Sequence, residues 1–163
     1  MKLEDIHSGS KVFIDSNIIT YHLSGHSIFG EACRNFLKKV EMGQYKCYAN
    51  DVVFSEVLLN FMKSELFRLR GIKPQRVVGE IKRESSLIEL VNFNAVTKLF
   101  ENLRVEILPV EYKCKEIVEF ISRYSLLPND AIHVATMKKD MIENIATNDK
   151  DFERVEWINI WKP

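Results

Sequence analysis

Little in this chain suggests covalent or metal staples. Its three cysteines (Cys33, Cys47 and Cys114) are odd in number and far apart, and no C-x-x-C or Cys/His spacing points to zinc or a redox pair. They are expected as buried apolar thiols in a reducing cytoplasm. With only four prolines and six glycines, no linker or low-complexity tract is visible. The first ten residues lack the apolar stretch of a signal peptide. No run approaches the roughly 18 apolar residues of a membrane span. These absences read as a soluble, cytoplasmic protein. Net charge is also lacking: 23 Lys and Arg balance 23 Asp and Glu, so the molecule as a whole is not built to coat a polyanion.

What is present is an ordinary globular composition, 46% hydrophobic and 28% charged. At 163 residues the chain is expected to form one domain (1–163) with a core of its own. Charge is unevenly placed. Between Lys63 and Arg83, seven basic residues, including Arg68, Arg70 and Arg76, face only Glu65 and Glu80. Between Asp140 and Glu156, six acids face Lys150 and Arg154. A basic segment beside an acidic site suits an enzyme acting on a polyanion, although a solvated helix face explains the basic run as well.

Short β-rich runs alternate with longer helical stretches, the pattern of an α/β fold with a parallel sheet. Strands are expected over Lys11–Asp15, Tyr45–Ala49, Val105–Leu108, Asn144–Thr147 and Trp157–Ile160. Helices are expected over Ile28–Glu41 and Asp51–Leu69. Cys114, Ile117, Val118 and Ile121 mark one face of a helix that packs on the sheet. Asn129, after Pro128, reads as the N-cap of a helix running to about Lys139. The stretch from Gly71 to Leu103 reads as two further helices.

Four acids stand in four distinct settings: Asp15 at the end of an apolar strand, Glu56 inside an apolar helix, Asp130 at a helix start, and Asp149 after a short strand. Ligands of open α/β sheets bind outside the carboxyl ends of the strands, so at least three of these carboxylates share one rim. Gathered carboxylates repel unless cations neutralise them, and all-oxygen ligand sets suit Mg²⁺ or Mn²⁺. Taken one at a time, Asp15 and Asp149 also read as turn residues and Asp130 as a first-turn acid. Glu56 resists such a reading because Phe54, Val57, Leu58 and Leu59 surround it. His133 is expected as a packed histidine, and His7, His22 and His26 form no ligand spacing. Trp157 and Trp161 read as edge-strand residues packing on a helix, with base stacking as the alternative.

The segments around these acids resemble the four motifs of PIN-domain nucleases, especially the VapC-type toxins. Phe13-Ile-Asp15-Ser-Asn17-Ile-Ile-Thr-Tyr21 is similar to the first and Ser55-Glu56-Val57 to the second. Leu127-Pro-Asn-Asp130-Ala-Ile-His-Val-Ala135 is similar to the third, and Ala146-Thr147-Asn-Asp149-Lys-Asp151-Phe152 to the fourth. They occur in family order and span residues 12 to 152. One departure is Lys138-Lys139-Asp140, where many family members place a glycine after the third-motif helix.

The resemblance implies a three-layer α/β/α fold around a parallel sheet of about five strands. It implies a metal-dependent endoribonuclease in which Asp15, Glu56, Asp130 and Asp149 hold one or two divalent ions, Mg²⁺ or Mn²⁺. Asn17 is expected to orient Asp15 or bind a phosphate oxygen, with turn formation as its alternative. Thr147 and Asn148 are expected to support Asp149. Asp151 is read either as a ligand of a second metal or as a solvated cap. Family analogy further implies a homodimer and a small antitoxin partner, with RNA as substrate and Arg68, Arg70 and Arg76 as candidate RNA contacts. Alternatives are a housekeeping PIN nuclease in RNA processing, an Mg²⁺-dependent phospho-acceptor module, and a silent scaffold. A phosphatase of the phospho-acceptor kind wants an Asp at position 17, where this chain has Asn, and neither phospho-acceptor type explains Glu56.

Overall fold

A computed structural model describes residues 1–111 and 113–163. Five strands, β1 (Lys11–Ile14), β2 (Lys46–Asn50), β3 (Glu106–Leu108), β4 (Asn144–Ala146) and β5 (Asn159–Trp161), form one parallel sheet in the order β3-β2-β1-β4-β5. Among the described residues, seven helices accompany it: α1 (Ser16–Leu23), α2 (Gly30–Glu41), α3 (Asp51–Arg70), α4 (Val77–Arg83), α5 (Asn94–Leu103), α6 (Cys114–Tyr124) and α7 (Pro128–Lys139). Val12, Phe13 and Ile14 are consecutive in β1 and all fully buried. Successive strand residues point to opposite faces, so helices cover the sheet on both sides, as parallel sheets require.

The chain winds from β1 outward through β2 to β3, then returns to the other side of β1 as β4 and β5. The winding direction reverses between β1 and β4, and it is at such switch points that doubly wound sheets open a crevice. Register keeps that crevice tight: Ile14 lies beside Ala146, and the Asp15 backbone N–H donates to the Ala146 carbonyl at 3.0 Å.

Several expectations shift in detail. β1 ends at Ile14, because Asp15 already takes the N-cap position of α1, a short helix the periodicity did not reveal. The fifth strand lies at Asn159–Trp161 rather than Trp157–Ile160. Asn129 is not an N-cap: α7 begins two residues earlier than that reading requires, with Pro128 at its first position and Leu127 as the cap. Proline's fixed φ and missing N–H favour that first position. On α6 the buried face is Ile117, Phe120 and Tyr124, and the helix packs against α7. Val118 is 60% exposed and Cys114 is exposed, so neither joins the expected face and only Cys33 and Cys47 are buried thiols. Burial pushes both of those thiols up to about 12, which keeps them protonated and inert.

The Gly71–Leu103 stretch holds α4 and α5, as expected, with a 3₁₀ segment between them at Ser85–Leu90. Leu66, Val77, Leu87 and Val91 form a small satellite core under it, separate from the main one. Where the family often has glycine after α7, the left-handed turn falls on Met141 (φ 54°), which the chain tolerates without a glycine.

Asn50 locks the elements that carry the site. Fully buried at the end of β2, it caps α3 by accepting from the Val53 N–H at 3.0 Å and donates to Thr136 Oγ1 of α7 at 3.0 Å. Asn50→Ala should lose the cap and a buried hydrogen bond together, costing about 2 kcal/mol. Urea denaturation of the metal-free protein measures this, and a loss below about 0.5 kcal/mol would contradict the role.

Candidate active site

The segments following the carboxyl ends of β1 and β4, the first turns of α1 and α7 and the second and third turns of α3 border a cleft of about 590 Å³. Asp15, Glu56, Asp130 and Asp149 all line it, with Ser16, Asn17, Leu59, Asn60, Leu127, Pro128 and Asn129. The fold therefore brings together the four acids that the sequence singled out. They fall into two separate groups. Asp15 and Glu56, with His133, each offer a donor atom within 4.8 Å of the others; Asp130, Asp149 and Asp151 do the same.

Asp15 is 6% exposed and is held on every side. Ser16 Oγ donates to its Oδ1 at 3.3 Å, while Asn17 Nδ2 and Thr147 Oγ1 both donate to its Oδ2. Thr147 Oγ1 in turn accepts from Asn17 Nδ2 at 3.0 Å and from the Asp149 N–H at 2.9 Å. One buried hydroxyl thus ties the first carboxylate to the loop carrying the fourth. Asn17 sits in the same network, its Oδ1 accepting from the Asn148 N–H at 3.2 Å. The orienting role fits it, and Thr147 supports Asp15 as directly as it supports Asp149. Asn148 lies one step further out, donating to the Tyr21 hydroxyl at 3.3 Å. Thr147→Val keeps the shape but removes all three bonds, and should slow turnover about 10- to 100-fold, whereas Thr147→Ser should retain most of it. Comparing initial rates of the two variants at saturating Mg²⁺ checks this.

Glu56 projects from the second turn of α3, directly after the first turn that Asn50 caps. Asn129 Nδ2 donates to its Oε1 at 2.7 Å, so the residue displaced from its expected cap position becomes a site residue. His133 Nε2 stands 3.7 Å from Glu56 Oε2, too far for a hydrogen bond but within reach of an ion pair. Burial acts to raise the Glu56 carboxyl, but His133, Asn129 and Ser16 outweigh it and hold the group below its ordinary value. Asp130 moves the other way. Burial first, then the charges of Asp149, Asp15 and Glu56, push it up to about 6 despite His133. Asp15 is also raised, chiefly by burial and further by Glu56, against His133 and Thr147.

Asp151 begins a 3₁₀ turn (Asp151–Arg154) whose N–H donates to Asp149 Oδ1 at 2.8 Å. Its own Oδ1 accepts from Arg154 at 2.6 Å, so part of its charge is already balanced. The expected RNA contacts are not in the cleft. Arg68 is clasped by Glu65, Arg76 pairs with Glu80, and Arg70 and Arg76 line a separate cavity of about 460 Å³ with Lys73. The tryptophans lie elsewhere too: Trp161 is buried, its Nε1 donating to Asn144 Oδ1 at 3.0 Å, and Trp157 packs against the main core.

Ser16 and Asn129 are site residues that sequence reasoning did not assign. Both flank a motif acid directly, and that adjacency was the available signal. Asn50 lay between an expected strand and an expected helix, where a capping role was legible.

Comparison with known proteins agrees with this geometry. The PIN domain profile matches residues 12–158. Ribonuclease VapC2 of Methanocaldococcus jannaschii is 32% identical over 160 residues, covering 98% of this chain and 96% of the relative. Ribonuclease VapC6 of the same organism is 31% identical over 158 residues, covering 95% and 99%. Among solved structures, VapBC2 from Rickettsia felis bound to a DNA fragment from its promoter superposes with a TM-score of 0.56 at 14% identity, over 93% of this chain and 98% of that one.

Proposed function

Because the chain belongs to the PIN-domain family, we propose that it is a divalent-metal-dependent endoribonuclease and the toxin of a type II toxin–antitoxin pair, acting as one domain over residues 1–163. The single observation that carries this reading is the convergence of Asp15, Glu56, Asp130 and Asp149 on one open cleft at the switch point of the sheet. The donor set is rich in oxygen, and among the described residues no lysine or arginine forms an ion pair with any of the four. Such a set fits a hard cation, Mg²⁺ or Mn²⁺, held by Asp15, Glu56, Asp130 and Asp149, with Asp151 beside a second position.

A cation there would supply charge stabilisation for the phosphodiester undergoing attack and for the departing oxygen. The protein's own contribution is alignment. Asn17 and Thr147 fix Asp15, Asn129 fixes Glu56, and Thr147 fixes the backbone of Asp149. An exposed cleft bordered by Leu59 and Leu127 admits an extended strand more readily than a rigid duplex.

The relatives' names and the VapBC2 neighbour support an antitoxin as partner and RNA as substrate; a homodimer as the working unit is part of the same proposal. They favour the toxin over a housekeeping RNA-processing role. Among the described residues no helix is long and apolar enough to cross a membrane, which accords with action in the cytoplasm. Incubation of the purified, antitoxin-free protein with end-labelled RNAs in Mg²⁺, Mn²⁺ or EDTA tests the reaction. Internal cuts in either metal and none in EDTA are expected; cleavage that persists in EDTA would contradict it.

Arg68, Arg70 and Arg76 extend the site along the RNA in this reading. α3 runs from Glu56 to Arg70, about 20 Å at helical rise. The side chains of Arg68 and Arg76 are themselves 64% and 66% exposed, and pairs made by such solvated guanidinium groups are weak enough to exchange for phosphate. Reversing the three to Glu should weaken RNA binding at least about 10-fold and flatten its dependence on salt. Unchanged affinity across a salt series would remove these residues from the interface.

A further inference from the structure

Helix α7 carries one polar residue for which the proposed chemistry gives no role. His133 lies three positions after Asp130, on the same side of the helix. Its side chain is only 1% exposed, and neither ring nitrogen has a hydrogen-bond partner. A buried imidazole with both nitrogens unsatisfied is costly and calls for an explanation. The Phe13 ring, tilted 45° at 5.5 Å between centroids, covers part of it. Toward the cleft, Nε2 stands 3.7 Å from Glu56 Oε2, and a ring nitrogen lies within 4.8 Å of an Asp15 oxygen. The 3.7 Å separation from Glu56 is too long for a hydrogen bond, but it lies within the roughly 4.2 Å that two bonds of about 2.1 Å to a shared ion can span.

Building on the metal-dependent reading of this cleft, we propose that His133 Nε2 is a direct ligand, together with Asp15 and Glu56, of a first-row divalent transition ion. The orphaned nitrogen, its burial and its approach to two carboxylates are all met by one such ion. The cleft then offers two unlike environments. Asp15, Glu56 and His133 supply a nitrogen-containing set deep in the fold, whereas Asp130, Asp149 and Asp151 supply an all-oxygen set at its half-exposed edge. Imidazole favours transition ions over Mg²⁺, so the inner position should discriminate between metals and the outer one should not.

Electron spin-echo spectroscopy of the whole protein loaded with Mn²⁺ decides the question without any cleavage assay. The bound ion should show coupling to imidazole ¹⁴N, replaced by ¹⁵N coupling when histidine alone is isotopically labelled. His133→Gln should abolish the coupling and weaken Mn²⁺ binding at least about 10-fold, while Mg²⁺ binding changes less than about 3-fold. Mn²⁺ that binds without nitrogen coupling would overturn the assignment, leaving His133 as an ion-pair partner of Glu56 and the carboxylate metal site intact. Failure to bind Mn²⁺ at all would overturn both. Should His133→Gln not fold, the labelled parent protein gives the answer alone.

Discussion

Asp130→Asn should yield a protein that is more stable than its parent in EDTA and about 10³-fold slower, or worse, in Mg²⁺. Both effects have one cause. Asp130 sits half-buried among Asp149, Asp15 and Glu56, and its carboxyl is pushed up to about 6. At neutral pH without metal, ionising it works against folding. Moving a carboxyl from 3.8 to about 6 corresponds to roughly 3 kcal/mol at pH 7. Partial exposure and screening discount that to about 1–2 kcal/mol. Asparagine keeps the shape and removes the charge, so metal-free melting should rise by about 4 °C for a domain of this size. Catalysis should suffer because removing one of few ligands forfeits several kcal/mol of charge stabilisation. Thermal melts with EDTA and with saturating Mg²⁺ check the pair. Mg²⁺ should stabilise the parent and not the variant; a variant destabilised in EDTA would show that Asp130 is structural.

The second large effect is the response to pH. Asp15 and Asp130 are both raised and both belong to the proposed metal site, so protons and metal compete for them. Cleavage at limiting Mg²⁺ should fall about 10-fold between pH 7 and pH 5 from protonation of Asp130 alone, and further if Asp15 must also ionise. The midpoint should move to lower pH as Mg²⁺ is increased. A profile flat from pH 5 to 8 at limiting metal would contradict the coupling.

Stability should run in the opposite direction. For a carboxyl whose folded value lies above its unfolded value, the folded state binds the extra proton. Its contribution is therefore favourable below that window and is lost as pH rises through it. The metal-free protein should gain stability from Asp15 and Asp130 as pH drops from about 7 toward 5. Glu56, held low, has the opposite sign: its contribution is present above 4.5 and fades as pH falls through the lowered value.

The sheet and the four acids were legible in the sequence because each rests on a strong local signal. Val12, Phe13 and Ile14 form an uninterrupted apolar run, which only a strand buried on both faces accommodates. Glu56 stood out because an apolar helix surrounds it. Short-range packing was harder to read. α1 spans eight residues, too few for periodicity to separate it from the strand before it. The apolar spacing on α6 was right for a helix but wrong about its face, since Phe120 and Tyr124 rather than Val118 are buried beside Ile117. Partnerships across the cleft were not legible at all. Nothing local shows that Asn129 reaches Glu56 73 residues away, or that Thr147 joins Asp15 across 132. The second exists because β1 and β4 are neighbours, and the first because α7 packs beside α3, facts of topology rather than of spacing.

The central claim is that Asp15, Glu56, Asp130 and Asp149 together hold a divalent cation. Anomalous scattering from crystals grown with Mn²⁺ tests it most directly. A manganese peak inside the cleft, about 2.0–2.3 Å from carboxylate oxygens of at least two of the four, is the expected result. A cleft without manganese at millimolar concentration, its carboxylates instead hydrogen-bonded among themselves or to ordered water, would contradict the account.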